Sequence, residues 1–367
     1  MPSNTAAFIM APQARPLVVK EAPYTPPQEN QIVVKNGAVA INPVDYMIQD
    51  LGKIIMRWLK YPFILGGDLA GEVVEVGSGV SNFKVGDRVL ALSVGADPDL
   101  NNPAHTAFQN YSVIQPKLAS HIPSDLPYEQ AAVLPLTLAT AASGLFQKDF
   151  LGLQFPTVPP QPQTGKILLV WGGSTSVGSN AIQLAVAAGY EVIATASPKN
   201  FEYVKRLGAS QAFDYKSKTV VPDIIKAVKN KTMAGAIAVS GGSAPLCVDI
   251  LSHSKGGKFV ADISGMGLPA DGKVGMMTMV RMLQFNASLW MKCRLTGIRS
   301  KFVWGSGLRH NEVGNAIFGD FLPKALAAHK YAIAPEPLVV GKGLEHLQDG
   351  FDLLKKGVSV KKVVVLL

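Results

Sequence analysis

Gly172 and Gly178 bracket the run Gly-Gly-Ser-Thr-Ser-Val-Gly, and glycines at that spacing behind an apolar segment can bind phosphate. Lacking side chains, they let backbone N–H groups approach an anion, which the N-terminus of a following helix also favours. An apolar stretch, 167–170, leads into the run, a helical pattern extends from Val177 to Ala188, and a second apolar run, 191–195, follows. Strand, glycine-bearing turn, helix and strand make up the unit that binds a dinucleotide pyrophosphate, here with Ser174, Thr175, Ser176 and Val177 as the cradle. The middle glycine of the usual fingerprint is absent and Thr175 stands near its place. Taken alone, the turn also fits an ordinary strand-to-helix loop.

The far end of the second strand says which dinucleotide fits. A unit that binds NAD usually carries Asp or Glu there to hold the ribose 2′-hydroxyl. This chain has Ser197, Pro198, Lys199 and Asn200 instead. A carboxylate would repel a 2′-phosphate, whereas Ser197 can donate a hydrogen bond and Lys199 can pair with the charge. The residues therefore predict NADPH over NADH.

The elements that must position these residues are those of an α/β enzyme. A chain of 367 residues is long enough for two domains with separate cores. Its 35 Lys and Arg against 26 Asp and Glu give a net charge of +9, but the basic residues are scattered and not interleaved with aromatics, which argues against a nucleic-acid surface. Apolar stretches are broken before membrane-spanning length and the N-terminus lacks a signal-peptide core, so a cytoplasmic protein without membrane attachment is expected. Cys247 and Cys293 are too few for a disulfide framework, and neither they nor the six histidines show metal-ligand spacing.

Residues 1–130 read as β-rich, with apolar segments at 31–41, 69–77 and 86–94 and a hairpin turn at Gly86-Asp87. Residues 128–147 read as a helical connector interrupted at Pro135, and 152–164, with four prolines, as an exposed linker-like insertion. After the dinucleotide unit, short strands are expected at 211–214, 233–239 and 258–263. A helix near 312–329, an amphipathic helix over 343–356 and a closing strand over 361–367 complete the chain.

Several ordered motifs resemble the zinc-free, quinone-oxidoreductase-like branch of the medium-chain dehydrogenase/reductase superfamily. They are Ala40 to Asp45 (AINPVD), Gly66 to Val80, Phe83 to Val89, the connector AAVLPLTLATA, and Gly172 to Gly178. The proline-rich insertion, the missing glycine, Ser197 to Asn200 and Phe213 to Tyr215 are similar to the trans-acting enoyl reductases of fungal polyketide assembly lines. The resemblance implies a GroES-like β-barrel catalytic domain, residues 1–130 and 310–367, and a doubly wound Rossmann domain, residues 131–309, with the active site in the cleft between them. It also places Asn42 and the Gly67-Asp68 pair where zinc-dependent alcohol dehydrogenases carry Cys and His-Glu ligands. No metal is expected. Hydride transfer without a Lewis acid needs an acceptor activated by conjugation, such as an enoyl thioester, an enone or a quinone.

Carried over by position, the resemblance implies that Val44, Asp45, Tyr46 and Met47 line the nicotinamide end, with Thr140 and the backbone of Ile263 nearby. Tyr215 joins Ser197 to Asn200 at the 2′-phosphate, and Lys361 is a further cofactor candidate. One wall of the substrate pocket would be Leu136, Thr137, Leu138, Ala139, Thr140, Ala141, Ala142 and Ser143. As bare residues, Asp45 also reads as a turn-capping acid, Thr140 as packing, Tyr215 as a half-buried strand residue and Lys361 as a solvated lysine. No proton donor stands out: Met47 fills a place where the polyketide reductases often show Lys, leaving Tyr46, Lys53, Tyr61 or solvent. Phe302 and Trp304 read either as distal pocket residues or as core.

The expected protein is an NADPH-dependent reductase of a small-molecule or carrier-bound acyl substrate, with a polyketide synthase as candidate partner. The alternative is a low-turnover NADPH-binding redox sensor or synthase partner protein. Monomer and homodimer both stay open: the resemblance implies that an edge strand of the Rossmann domain often makes a dimer, insertions can cap that edge, and the segment 265–308 is unusual.

Overall fold

Val-, Ile- and Ala-rich segments of two to nine residues, punctuated by Gly, Pro and Asp, build the described strands. The computed structural model describes residues 2–264 and 276–367, which divide into two compact units, Met1–Leu136 with Leu308–Leu367, and Thr137–Gly307. Residues 265–275, part of the segment singled out above, lie outside the described residues.

The first unit contains β1 (Asn4–Ile9), β2 (Val18–Ala22), β3 (Ile32–Ala40), helix α1 (Pro43–Ile55), β4 (Phe63–Ile64), β5 (Asp68–Val76), β6 (Arg88–Leu92), β7 (Tyr111–Ile114), β8 (Ala119–His121) and helix α2 (Tyr128–Ala131). Helix α3 (Pro135–Phe146) begins at the division. The second unit continues with β9 (Lys166–Trp171), α4 (Ser176–Ala187), β10 (Glu191–Ala196), α5 (Phe201–Arg206), β11 (Gln211–Asp214), α6 (Val220–Val228), β12 (Thr232–Ala238), α7 (Ala244–Ser252), β13 (Lys255–Gly256), β14 (Phe259–Asp262), α8 (Met276–Thr296) and β15 (Arg299–Phe302). The chain returns to the first unit through α9 (Leu322–Ala327), β16 (Glu336–Lys342), α10 (Leu347–Lys356) and β17 (Lys361–Leu366).

In the first unit, β1 pairs antiparallel with β2 and β4, and a larger sheet runs β16-β17-β3-β5-β6-β8 with β7 also on β3. Its core gathers Ile32, Val34, Val39, Leu69, Val73, Val89, Phe108, Phe351, Val363 and Val365. The segments read at 31–41, 69–77 and 86–94 are β3, β5 and β6, and Gly86 takes a positive φ of 91° in the turn before β6. Asn42 caps and Pro43 begins the 13-residue α1. Pro at the first helical position lacks only an N–H that no helical carbonyl would accept, and its φ suits the helix.

The second unit is a doubly wound parallel sheet in the order β11-β10-β9-β12-β14-β15, which reverses direction between β9 and β12. That reversal is where such sheets bind ligands, at the C-terminal ends of the strands. The expected strands near 211, 233 and 258 are β11, β12 and β14. The proline-rich stretch 152–164 is not a free linker. Gln154 Nε2 donates to Ala188 O at 2.7 Å, Gln161 N to Ala187 O at 2.9 Å and Thr164 N to Gly189 O at 2.8 Å. The end of α4 leaves carbonyls without helical partners, and the insertion satisfies them.

Candidate functional site

Strand register brings together a buried polar cluster in the first unit. β17 and β3 are antiparallel with Val364 opposite Ala40, and Ile41 N donates to Val363 O at 2.9 Å. Carried one place further, that register sets Lys362 opposite Asn42, while Asp68 on β5 is opposite Ala40. The Lys362 ammonium pairs with Asp68 Oδ2 at 2.8 Å and donates to Asn42 Oδ1. Asn42 Nδ2 donates to the same Asp68 oxygen at 2.8 Å. The orientation of the Asn42 amide follows from its neighbours, because an ammonium only donates and a carboxylate only accepts. Lys362 is 4 % exposed, Asn42 2 % and Asp68 0 %. Burial at this level requires each charge to be paired, since an isolated one is severely penalised.

The cluster ties down two helix starts. Asp68 Oδ1 accepts from Leu136 N at 2.5 Å, placing a carboxylate at the N-terminal end of α3, where the helix dipole favours it. Asp45, in the first turn of α1, accepts from Asn42 N at 2.7 Å and is buried. Burial pushes the Asp45 carboxyl up to about 7; the Asp68 charge adds to the rise, while the Asn42 N–H and Lys362 oppose it. The turn-capping function of Asp45 is thus visible in the geometry. Its neighbours Val44, Tyr46 and Met47 are half-buried.

In the second unit, the dinucleotide turn leaves β9 at Trp171. Gly172 has a φ of 93°, and a Cβ on Gly178 would collide with the Gly172 carbonyl oxygen. Both positions therefore require glycine. Thr175, near the place of the missing glycine, is the N-cap of α4: its Oγ1 accepts from Gly178 N at 3.0 Å and donates to Gly172 O at 2.7 Å. The fingerprint departs from the usual pattern because a hydroxyl organises the turn. Ser176 and Val177 supply first-turn N–H groups that the helix itself cannot satisfy, and Ser174 precedes them. Gly173 N donates to Thr195 O at 2.8 Å and Gly172 N to Thr195 Oγ1 at 3.0 Å, which fixes the turn against β10.

Ser197 to Asn200 follow β10 as a short 3-10 turn in which Pro198 and Lys199 are exposed. Ala196 of β10 is the register partner of Asp214 of β11, so Ser197 and Tyr215 leave adjacent strand ends. Tyr215 is 41 % exposed and Lys216 Nζ lies 5.8 Å from its ring centroid. Lys216, which the sequence reading left out, puts a second exposed cation at this end of the sheet. A nicotinamide dinucleotide fits these features: glycines that admit its pyrophosphate, open helix N–H groups and cations beyond the second strand.

Other positions divide by burial. Ile263 N donates to Ala238 O at 2.7 Å, tying the end of β14 to β12. Of the eight residues read as a substrate wall, Leu136 alone is partly exposed; Leu138, Ala139, Ala141, Ala142 and Ser143 are fully buried, as Thr137 and Thr140 nearly are. Thr137 Oγ1 accepts from Asn180 Nδ2 at 3.1 Å, and the close approach of Gly305 to Thr140 leaves no room for a side chain at 305. Lys361 is paired with Glu336 at 2.5 Å on the exposed side of β17. Its neighbour Lys362, missed by sequence reading, is the buried one. The available signal was a lysine beginning an apolar closing strand, where alternation puts one of two successive residues inside. Among the proton-donor candidates, Lys53 is exposed and Tyr46 half-buried. The Tyr61 hydroxyl is buried against Gly52 with no hydrogen-bond partner among the described residues. Phe302 and Trp304 are 43 % and 44 % exposed, so they are not core.

The chain thus has a β-rich unit and a doubly wound parallel sheet with a glycine turn after β9. Residues 28–132 match the alcohol dehydrogenase GroES-like domain, and residues 176–295 match the zinc-binding dehydrogenase domain. The chain is 53 % identical to the dehydrogenase pigH of Monascus ruber over the full length of both chains. It is 39 % identical to the trans-enoyl reductase himH of Aspergillus japonicus, covering 99 % of this chain and 97 % of that one. The quinone oxidoreductase from Coxiella burnetii has the same fold, with a TM-score of 0.67 over both whole chains at 23 % identity. This chain belongs to the medium-chain dehydrogenase/reductase superfamily, and is an oxidoreductase of that family. The family implies a nicotinamide cofactor.

The zinc in the domain's description does not fit the residues present. At the ligand positions stand an amide, a glycine and a carboxylate already held by Lys362 and Leu136 N. An ammonium between Asn42 and Asp68 would be repelled by a divalent cation, and the amide is a poor substitute for thiolate. Among the described residues, no group of three or more His, Cys, Asp or Glu is placed to hold a metal ion, and no helix is long and apolar enough to cross a membrane.

Proposed function

We propose that this chain is an NADPH-dependent, metal-independent reductase of an activated C=C, with an enoyl thioester as substrate class. The observation that carries the reading is the donor set at Asn42 and Asp68, which is closed by Lys362 and cannot present a Lewis acid. A ketone or alcohol needs its oxygen polarised, whereas a C=C conjugated to a thioester is already electrophilic at its β carbon. The identity with a trans-enoyl reductase over nearly the whole chain supports the same substrate class.

The bound cofactor would supply hydride from C4 of its nicotinamide. Ser174, Ser176 and Val177 hold its pyrophosphate, and Ser197, Lys199, Asn200 and Tyr215, with Lys216, hold its 2′-phosphate. Val44, Tyr46 and Met47 border the nicotinamide end, on the turn that Asp45 caps. Reduction adds hydride at the β carbon and a proton at the α carbon. The acyl substrate is carried by a polyketide synthase on which the reductase acts in trans.

The test is oxidation of NADPH, followed by loss of its absorbance, against a panel of enoyl thioesters, enones, quinones and ketones. Deuterium at C4 of the nicotinamide should appear at the β carbon of the product by mass spectrometry. Turnover of simple ketones in preference to enoyl thioesters would overturn the reading. Tight NADPH binding with no acceptor reduced would favour the sensor.

A further inference from the structure

Lys362 differs from the other lysines among the described residues in where its charge is placed. It begins the buried run of a central strand, is 4 % exposed, and bridges Asn42 and Asp68. Those are the positions that carry metal ligands in the zinc-dependent branch, as the resemblance implies. Both partners continue into the backbone. Asn42 is the N-cap of α1 and its N–H is held by Asp45, while the second oxygen of Asp68 holds Leu136 N at the start of α3.

We propose that Lys362 is a positioning residue that replaces the absent metal: a built-in cation joining the two former ligand positions and setting the Asn42–Met47 turn. A divalent ion in such a place is held by several ligands and fixes their relative positions. A single ammonium with two acceptors does the same for Asn42 and Asp68. It differs in having no open coordination position, so it orders the turn without offering a Lewis acid. Lys361, one residue earlier, cannot substitute, because strand alternation turns it outward to Glu336. The ligand exchange stands independently of the substrate; the positioning role rests on the reductase reading above.

The experiment uses the full chain as wild type, Lys362→Met, and the double variant Lys362→Met with Asp68→Asn. Metal content, melting temperature with and without added zinc, and kcat and KM for NADPH with an enone acceptor are measured. The wild type should carry no stoichiometric zinc, and its melting should not respond to zinc or to a chelator. Lys362→Met strands the Asp68 charge and should melt about 10 °C lower. Its kcat should fall at least about tenfold while the KM for NADPH stays within about twofold, because the dinucleotide turn is untouched. The double variant removes both charges and should recover most of the melting temperature, which keeps the test alive where the single variant fails to fold. Its kcat should stay low, since nothing joins Asn42 to β17.

Recovery of kcat together with melting in the double variant would reduce Lys362 to a charge balance and overturn the positioning role. One zinc per wild-type chain, or unchanged melting in Lys362→Met, would overturn the replacement itself. A wild type that oxidises NADPH with no acceptor would count against the reductase reading instead, with the metal and melting measurements still deciding the replacement.

Discussion

At the Asn42 turn, the amide of Asn42, both oxygens of Asp68 and the ammonium of Lys362 are bonded to one another or to backbone. At the Gly172 turn, helix-start N–H groups face outward from the protein's own ladders, and Lys199 and Lys216 are exposed. Both are polar sites at the ends of strands. One answers its charges internally and is therefore buried; the other has an excess of donors and positive charge, the condition for binding an anion. A closed site can shape a backbone but cannot exchange ligands. An open site costs less to form and relies on its ligand to complete it.

The largest way to sharpen this contrast is through Asp45. Its carboxyl is raised to about 7 in the folded chain against an ordinary value of 3.8, so the native state binds more protons than the unfolded state between those values. The stability it contributes is full below the unfolded value and is lost as pH rises through about 7. In urea unfolding, the wild type should lose on the order of a few kcal/mol between pH 5 and 8 that Asp45→Asn retains. Parallel pH profiles for the two chains would show that the closed site does not hold a shifted carboxyl.

Gly178→Ala attacks the open site, because the new Cβ must displace the Gly172 carbonyl. Overpacking of this kind costs roughly 1–3 kcal/mol, and calorimetry should find NADPH binding weakened at least about tenfold. Lys199→Glu should act on selectivity alone. The ratio of NADPH to NADH affinity should fall about tenfold with melting unchanged, and an unchanged ratio would remove Lys199 from the 2′-phosphate. Thr175→Ala is the smallest change. Loss of the α4 cap should cost about 1 kcal/mol in chemical denaturation, whereas Thr175→Ser should cost much less.

Much of this was legible in the chain itself. Gly172 to Gly178 between two apolar runs specifies strand, turn and helix, because only glycine tolerates the φ at 172 and the contact at 178. Ser197 to Asn200 identified the open end of the sheet by composition, since a missing acid is visible without coordinates. The substrate wall was less legible. Residues 136–143 are rich in small side chains, yet five of the eight are fully buried because small residues are also what close packing selects. The four prolines of 152–164 indicate an exposed linker-like insertion, but composition does not record that it hydrogen-bonds to the end of α4.

By itself, the sequence determined the two-domain class and the glycine turn between two strands, which depend on local residue type and spacing; that Asn42 and Gly67 stand where zinc ligands would is what the resemblance implies. Only tertiary structure decided what stands in the metal's stead. Lys362 lies 320 positions from Asn42 along the chain, and the antiparallel register of β17 on β3 brings the two together. Whether Lys361 or Lys362 meets the Asn42–Asp68 pair is a matter of strand phase, which a one-residue shift would invert without changing composition, and the pairing of β17 with β3 fixes it.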